Sequence, residues 1–456
     1  MIKAVSLSIA ALSLVASAGP AQSLPPVRQL GPVTAVAKEP LGAISGVRQL
    51  PDGNVIVNDI VGRRVLMFDS TLSNVTVIAD TTSATSNAYG VNPGGIIAFR
   101  GDSTLFVDPA SMSMLLIDPS GKMGRVMSAP RDARFLIGGP FGTPGFDPQG
   151  RLVYRAPPNF GAFGAPRQAN GAAGRLPQFP TPPDSAALVR YDLATRKSDT
   201  VTWFKTPKIN LTITQSPDGG VRVTTTVNPL PQGDDWALLP DGTIALVRGR
   251  DYHIDWLGAD GSVSSSPRIP FNWGRLSDEQ KVAFIDSARV AIEKQRASGQ
   301  LGGFGFGPQV VTRESGTAQR APAGTSTTPA PAPNAQPGTM SVTSGANTSV
   351  TTVGPGGAAA GQLPPLTLVS PSELPDYKPA FLPGSTRADA EGNLWVRTSE
   401  NVAGRSVYDV INRKGELIDR VQLPANRVLI GFGAGGIAYL GVRDGNTAHL
   451  ERARIK

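Results

Sequence analysis

The sequence predicts an all-β fold, a six-bladed β-propeller, from three observations. A turn-and-strand phrase recurs, a second turn follows it in register, and a spare N-terminal strand completes an otherwise incomplete last unit. The phrase is Leu50-Pro51-Asp52-Gly53-Asn54-Val55-Ile56-Val57. It returns as Asp147-Pro148-Gln149-Gly150-Arg151-Leu152-Val153-Tyr154-Arg155, as Leu239-Pro240-Asp241-Gly242-Thr243-Ile244-Ala245-Leu246, and as Asp389-Ala390-Glu391-Gly392-Asn393-Leu394-Trp395-Val396-Arg397. Asp-Gly and its relatives supply the positive φ of a tight hairpin, so each copy reads strand, turn, strand. The second turn closes an apolar run on Asp or Asn: Leu66-Met67-Phe68-Asp69, Leu115-Leu116-Ile117-Asp118, Val189-Arg190-Tyr191-Asp192 and Val410-Ile411-Asn412.

Six units follow. Unit one takes Ser45–Leu50, Val55–Val57, Arg64–Phe68 and Thr76–Ala79, and unit two Gly95–Phe99, Leu105–Val107, Met114–Ile117 and Arg125–Met127. Unit three takes Gly142–Asp147, Leu152–Tyr154, Leu188–Tyr191 and Thr200–Phe204, and unit four Asp235–Leu239, Ile244–Val247, His253–Leu257 and Ser262–Pro267. Unit five takes Ser385–Ala388, Leu394–Val396, Val407–Ile411 and Leu417–Leu423. Unit six has only Val428–Phe432, Ile437–Val442 and Ala448–Ile455; Val33-Thr34-Ala35-Val36 is free to become its fourth strand and close the ring.

Composition agrees. The 456 residues are 40% hydrophobic and only 17% charged, with 52 Gly and 41 Pro, a balance that favours turns over long helices. Residues 1–23 read as a signal peptide: Lys3, an apolar Ala4–Val15, then Ala16-Ser17-Ala18, with Ala21-Gln22-Ser23 as a second cleavage site. The expected location is periplasmic or secreted, with no transmembrane segment once the signal is removed. There is no cysteine, which excludes disulfides, thiol catalysis, Cys-based zinc sites and a lipoprotein anchor. A net charge of +8 without a Lys/Arg cluster gives no sign of a nucleic-acid partner.

The units are interrupted asymmetrically. Turns joining first to second and third to fourth strands are tight, whereas Ala156–Ala186, Thr206–Gly233 and Phe271–Pro383 all belong to the opposite face. Long loops on one face of a rigid scaffold mark the face that carries function. The domain plan is therefore blades one to four over 24–269, an insertion over 270–383, and blades five and six over 384–456. Thr206–Gly233 contains a hairpin, Lys208–Thr214 with Val221–Val227. In the insertion, Ser277-Asp278-Glu279-Gln280 is a capping box opening a helix over 277–297, with Phe284, Ile285, Ala288, Ala291 and Ile292 near one face. Residues 298–362 are Gly/Pro/Ala/Thr/Ser-rich and expected to be disordered, before an extended return through Leu374–Phe381.

Catalytic signatures are scarce. His253 and His449 are the two histidines, both read as sheet residues, and there is no Gly-x-Ser-x-Gly elbow, P-loop or dinucleotide fingerprint. The stretch Asn54–Asp69 and the Gly392-Asn393-Leu394-Trp395-Val396 blade resemble six-bladed propellers of the NHL and gluconolactonase-like (SMP-30-like) group, especially uncharacterised exported bacterial members. The resemblance implies a Ca²⁺ site in the central channel. The position of its first Glu ligand is Ser45 here, the other inner strands start at Gly95, Gly142, Asp234 and Gly384, and Asp234 is the one metal candidate. No other cofactor is expected. The second strands end instead on Asp59, Asp108, Arg155, Arg248, Arg397 and Arg443, a set that either grips an anionic ligand through forked donors or forms structural ion pairs. The expectation is a non-enzymatic exported propeller binding a protein, glycan or small anionic ligand on its loop-rich face. The alternatives are a metal-dependent lactonase-like hydrolase and a passive envelope scaffold.

Overall fold

The structure is a computed structural model that describes residues 23–131, 133–139, 142–157, 183–208, 210–215, 221–297, 310–313, 340–343, 351–353, 367–445 and 447–456. Six four-stranded antiparallel units appear in chain order. Blade one is Ile44–Gln49, Val55–Asp59, Arg64–Phe68 and Val75–Ala79; blade two is Gly95–Ala98, Thr104–Asp108, Ser113–Ile117 and Met123–Ser128. Blade three is Gly145–Phe146, Leu152–Arg155, Ser185–Tyr191 and Ser198–Lys205, its inner strand shorter than the sequence suggests. Blade four is Asp235–Leu238, Ile244–Arg248, His253–Leu257 and Val263–Ser265, and blade five Phe381–Ala388, Leu394–Val402, Arg405–Ile411 and Leu417–Gln422. Blade six takes Arg427–Gly433, Ile437–Asp444 and Thr447–Arg454 from the C-terminus and Val33–Val36 from the N-terminus, which pairs antiparallel with Thr447–Arg454 as the closing strand.

Strand alternation builds the ring. Successive side chains of a strand point to opposite faces, so Val55 and Val57 pack with Ile430, Tyr439 and Leu450 of blade six, while Ile56 packs with Phe106 and Ile117 of blade two. The same division places Leu105 and Val107 against Leu152 and Tyr154, and Val153 and Leu188 against Trp236 and Leu246. Ala245 and Val247 meet Phe381 and Val396, and Trp395 and Val421 meet Leu429 and Leu440. Six apolar layers between six blades leave no gap. The ring is closed.

The recurrent phrase is explained at Asp389. Its buried carboxylate accepts the N–H groups of Glu391 at 3.1 Å and Asn393 at 2.8 Å, the Asn393 amide at 3.0 Å, and the indole Nε1–H of buried Trp395 at 3.0 Å. Gly392 supplies φ 84° at the corner. Replacing Asp389 with alanine orphans the buried indole donor along with the turn. The expected loss is about 2–3 kcal/mol, read as a lower urea midpoint at unchanged slope.

The ring gains a strand that the repeats do not predict. Val27–Gln29 adds to blade five in parallel with Arg420–Gln422, giving that sheet a fifth strand. The capping box is present: Gln280 Oε1 accepts Ser277 N–H at 2.9 Å and Ser277 Oγ accepts Gln280 N–H at 3.3 Å, opening the helix Asp278–Ala297. That helix packs through Ile285 and Phe284 on Val369, Leu374 and Leu230, a small separate core joining the blade-three-to-four connection to the return segment. Ala291 on the expected apolar face is exposed. The predicted hairpin forms as Asn210–Gln215 with Val221–Val227, and Thr226–Val227 also pairs in parallel with Thr367–Leu368. Of 298–362, Val310–Arg313 pairs with Met340–Thr343, and Thr351–Val353 pairs with Val221–Val223. The remainder of that stretch and residues 1–22 with the signal segment lie outside the described residues. Among the described residues no helix is long and apolar enough to cross a membrane.

Candidate functional site

The two faces of the ring are built differently. On one, the first turns of the blades hold left-handed Gly53, Gly150, Gly242 and Gly392, and the second turns hold Gly121, Gly261 and Gly415. All are short hydrogen-bonded corners, such as Gly53 N–H to Leu50 C=O at 2.9 Å and Gly121 N–H to Asp118 C=O at 2.9 Å. The other face carries the second-to-third and blade-to-blade connections, among them the helix and the return segment. Its short second-to-third turns place non-glycine residues at positive φ just before the third strands: Arg63, Met112, Tyr252 and Ala403.

The second-strand ends meet this face, and each meets different neighbours. Asp59 accepts the backbone N–H groups of Gly42, Ala43 and Gly62 at 2.9–3.0 Å and Arg64 Nη2 at 3.1 Å. Asp108 accepts Ala110 N–H at 3.0 Å and the Ser111 hydroxyl at 2.6 Å, so both acids organise their own corners. Arg248 bridges Asp234 at 2.8 Å and Asp255 at 2.7 Å within blade four. Arg397 departs from the expected position: the second strand of blade five runs on to Val402, so Arg397 lies within it, half-buried opposite Tyr408, while Arg443 is exposed one residue before the end of its strand.

Arg155 is the most buried of these four arginines. Its guanidinium sits 5.9 Å from the Phe135 ring centroid and 5.8 Å from that of Phe204, within the cation–π range. Burial pushes its pKa down to about 10, against the favourable field of Asp235. Asp235 opens the inner strand of blade four, is 3% exposed, and accepts Thr386 N–H from the inner strand of blade five at 2.8 Å. Burial raises its pKa, opposed by the Thr386 hydrogen bonds and the charge of Arg387. In the sequence Asp235 stands directly behind Asp234, which fills the expected ligand position. Its signal was there: a carboxylate at the start of an inner strand, on the loop-bearing side.

Elsewhere around the channel mouth the polar groups satisfy one another. Asn58 Nδ2 donates to Ser45 Oγ at 2.8 Å and to Gly94 C=O at 2.7 Å, while Tyr89 donates to Asn58 Oδ1 at 3.0 Å. The residues do not fit a calcium ion. Asp234 Oδ1 accepts Gly249 N–H at 3.0 Å, and its Oδ2 accepts Lys205 N–H at 3.0 Å and the Arg248 guanidinium at 2.8 Å. A cation that wants six to eight oxygens would meet a competing guanidinium and a neutral Ser45. Among the described residues no three His, Asp or Glu side chains converge as metal ligands.

No protein-family model matches this sequence, and no curated protein matches it. Solved structures similar to it include a gluconolactonase from Xanthomonas campestris at 10% identity, covering 94% of this chain and 99% of that one with a TM-score of 0.36. The PQQ-bound aldose sugar dehydrogenase of Streptomyces coelicolor follows at 11% identity, 94% and 99% coverage and a TM-score of 0.38. An inactive virginiamycin B lyase variant of Staphylococcus aureus with quinupristin gives 10% identity, 90% and 80% coverage and a TM-score of 0.33. The blade count comes from this chain's own pairing. It is a six-bladed β-propeller.

Proposed function

We propose that this chain is an exported binding propeller whose loop-bearing face takes a small, hydroxylated, anionic ligand at the sector of the channel mouth formed by blades three to five. The observation that carries this reading is the buried polar set Arg155, Asp235 and Thr386, drawn from three blades and set where the long connections gather. Convergent polar groups at a largely apolar concavity are what small-ligand sites need. A guanidinium already desolvated between two rings gives a carboxylate a strong forked partner, and Asp235 gives hydroxyl groups an acceptor.

Calorimetric titration with D-gluconate, in buffer with and without calcium, tests this. The wild type is expected to bind, and Arg155→Ala combined with Arg397→Ala is expected to weaken binding at least tenfold. Unchanged affinity in the double variant sinks the reading. Hydrolysis of a lactone is the second reading, favoured by one observation: burial holds Asp235 toward its protonated form, as an acid–base group requires. Proton release from D-glucono-1,5-lactone, lost in Asp235→Asn, would support it; equal rates in both proteins would end it. A passive scaffold predicts no small-molecule binding and co-purification with envelope complexes. Export is tested by N-terminal sequencing of the mature protein, with a start between Gly19 and Leu24 expected.

A further inference from the structure

Between blade four and the helix, the chain forms a short ribbon with the return segment. Leu276 N–H donates to Asp376 C=O at 2.8 Å and Lys378 N–H to Gly274 C=O at 2.9 Å, framing an antiparallel bridge between Arg275 and Tyr377. This is the non-hydrogen-bonded kind of cross-strand pair, in which the two side chains lie closest together. Residues i and i+2 of an extended strand share a face, which puts Trp273 beside Arg275 and Tyr377. All three are exposed, Trp273 by 39% and Tyr377 by 50%.

The platform is built, not frayed. Trp273 stands edge-on to Phe271 at 5.3 Å, Phe271 edge-on to buried Tyr252 at 6.0 Å, and Tyr252 packs on Phe381 at 5.7 Å. A ladder of rings thus runs from the blade-four-to-five core to a solvent-facing indole. The nearby carboxylate, Asp376, is held by Lys281 Nζ at 2.7 Å. Arg275 forms no ion pair among the described residues.

We infer that Trp273, Arg275 and Tyr377 form a subsite for an acidic oligosaccharide, with pyranose faces on the two rings and a uronate carboxylate on the guanidinium. Rigid amphipathic rings give contact area at little entropic cost, and the forked guanidinium selects a carboxylate. Two rings and one cation fall far short of the 1,200–2,000 Å² of a stable protein interface, which favours a glycan over a protein. The inference rests on the reading that the loop-bearing face is the binding face, but uses none of the channel-mouth residues.

The test uses the mature full-length chain, indole fluorescence and calorimetry, with oligogalacturonate of six residues and neutral maltohexaose as probes. Expected results are quenching and binding of the uronate oligomer, at least tenfold weaker in Trp273→Ala and in Arg275→Ala. Trp203→Ala, which removes a still more exposed indole from the outer strand of blade three, is expected to leave binding unchanged. Maltohexaose is expected to bind at least tenfold more weakly and to ignore Arg275→Ala. Melting temperatures of the variants within about 2 °C of wild type establish that they fold. No uronate binding by the wild type, or equal binding by both platform variants, overturns the inference. Loss of gluconate binding in the Arg155/Arg397 variant with uronate binding intact leaves the platform standing. Gluconate binding without uronate binding removes the platform alone.

Discussion

Replacing Arg420 with alanine is expected to lower the unfolding free energy at pH 7.5 by about 3–5 kcal/mol. Arg420 is 5% exposed on the outer part of blade five and holds two acids. Its Nη2 pairs with Glu400, and its Nε donates to Asp409 at 3.2 Å. Asp409 is fully buried at the interface with blade four and accepts the Tyr252 hydroxyl at 2.9 Å from the other side. Removing the guanidinium leaves two neighbouring acids with no cation in a desolvated seam, the costly way to break a buried pair. Urea unfolding measures the loss. A change under about 1 kcal/mol would show that water reaches the cluster.

The same cluster gives the protein a pH dependence of unusual sign. Burial, together with the charge of Glu400, raises the Asp409 pKa to about 6 against the pull of Arg420 and Tyr252, from an ordinary 3.8. Between about pH 4 and pH 6 the folded state therefore holds a proton that the unfolded chain has released. The contribution of Asp409 to stability is most favourable below that window and is lost, on the order of 3 kcal/mol, as pH rises through it. Asp69 works the other way and elsewhere: its carboxylate, bonded by Ser73 and Thr71, sits at about 2, so its contribution is lost only as pH falls below about 4. Asp409→Asn is expected to flatten the profile between pH 4.5 and 7.5 and to be at least as stable as wild type at pH 7.5. Part of the Arg420→Ala loss should return at pH 4.5, when Asp409 is neutral. A wild-type profile that rises from pH 4.5 to 7.5 would contradict this assignment.

The blades were legible because their turns are local chemistry. Asp389 and Gly392, or Asp241 and Gly242, meet their partners within a few residues, so the recurrence of short phrases carries the architecture. The Ser277 capping box was legible for the same reason. What the sequence hid are pairs made across the ring. Tyr252 meets Asp409 across 157 residues, and Arg28 meets Asp419 across 391. The candidate site shows a subtler limit. Repeat register correctly located Asp59, Asp108, Arg155 and Arg248 at one structural position. It could not say that the two acids cap corners, that Arg248 braces its own blade, or that Arg155 is buried against Phe135 and Phe204. Position follows from periodicity, whereas partnership follows from which blade lies next door.

Deleting residues 23–37 is expected to abolish the cooperative monomeric fold. Val33–Val36 is the outer strand of blade six, with Ala37 N–H on Leu450 C=O at 2.8 Å and Arg454 N–H on Pro32 C=O at 3.0 Å. The same segment reaches further back. Leu30 is buried with Trp395 and Val421 between blades five and six. Arg28 bonds Asp419 at 2.6 Å and Ile455 C=O at 2.7 Å, and Leu24 packs on the layer between blades four and five. One stretch of chain therefore ties three consecutive blades together, where a single closing strand would tie two. Its loss removes several buried apolar side chains at about 1.5–3 kcal/mol for each large one, together with a ladder of backbone hydrogen bonds. It also exposes the edge of Thr447–Arg454, a template for pairing with another chain. Size-exclusion chromatography should show association of the truncated protein, and its urea transition should broaden and fall to lower denaturant. A synthetic peptide of residues 23–40 added in trans should restore the monomer by strand addition. A truncated chain that stays monomeric with a wild-type midpoint would mean that the ring is held by its six inter-blade layers alone.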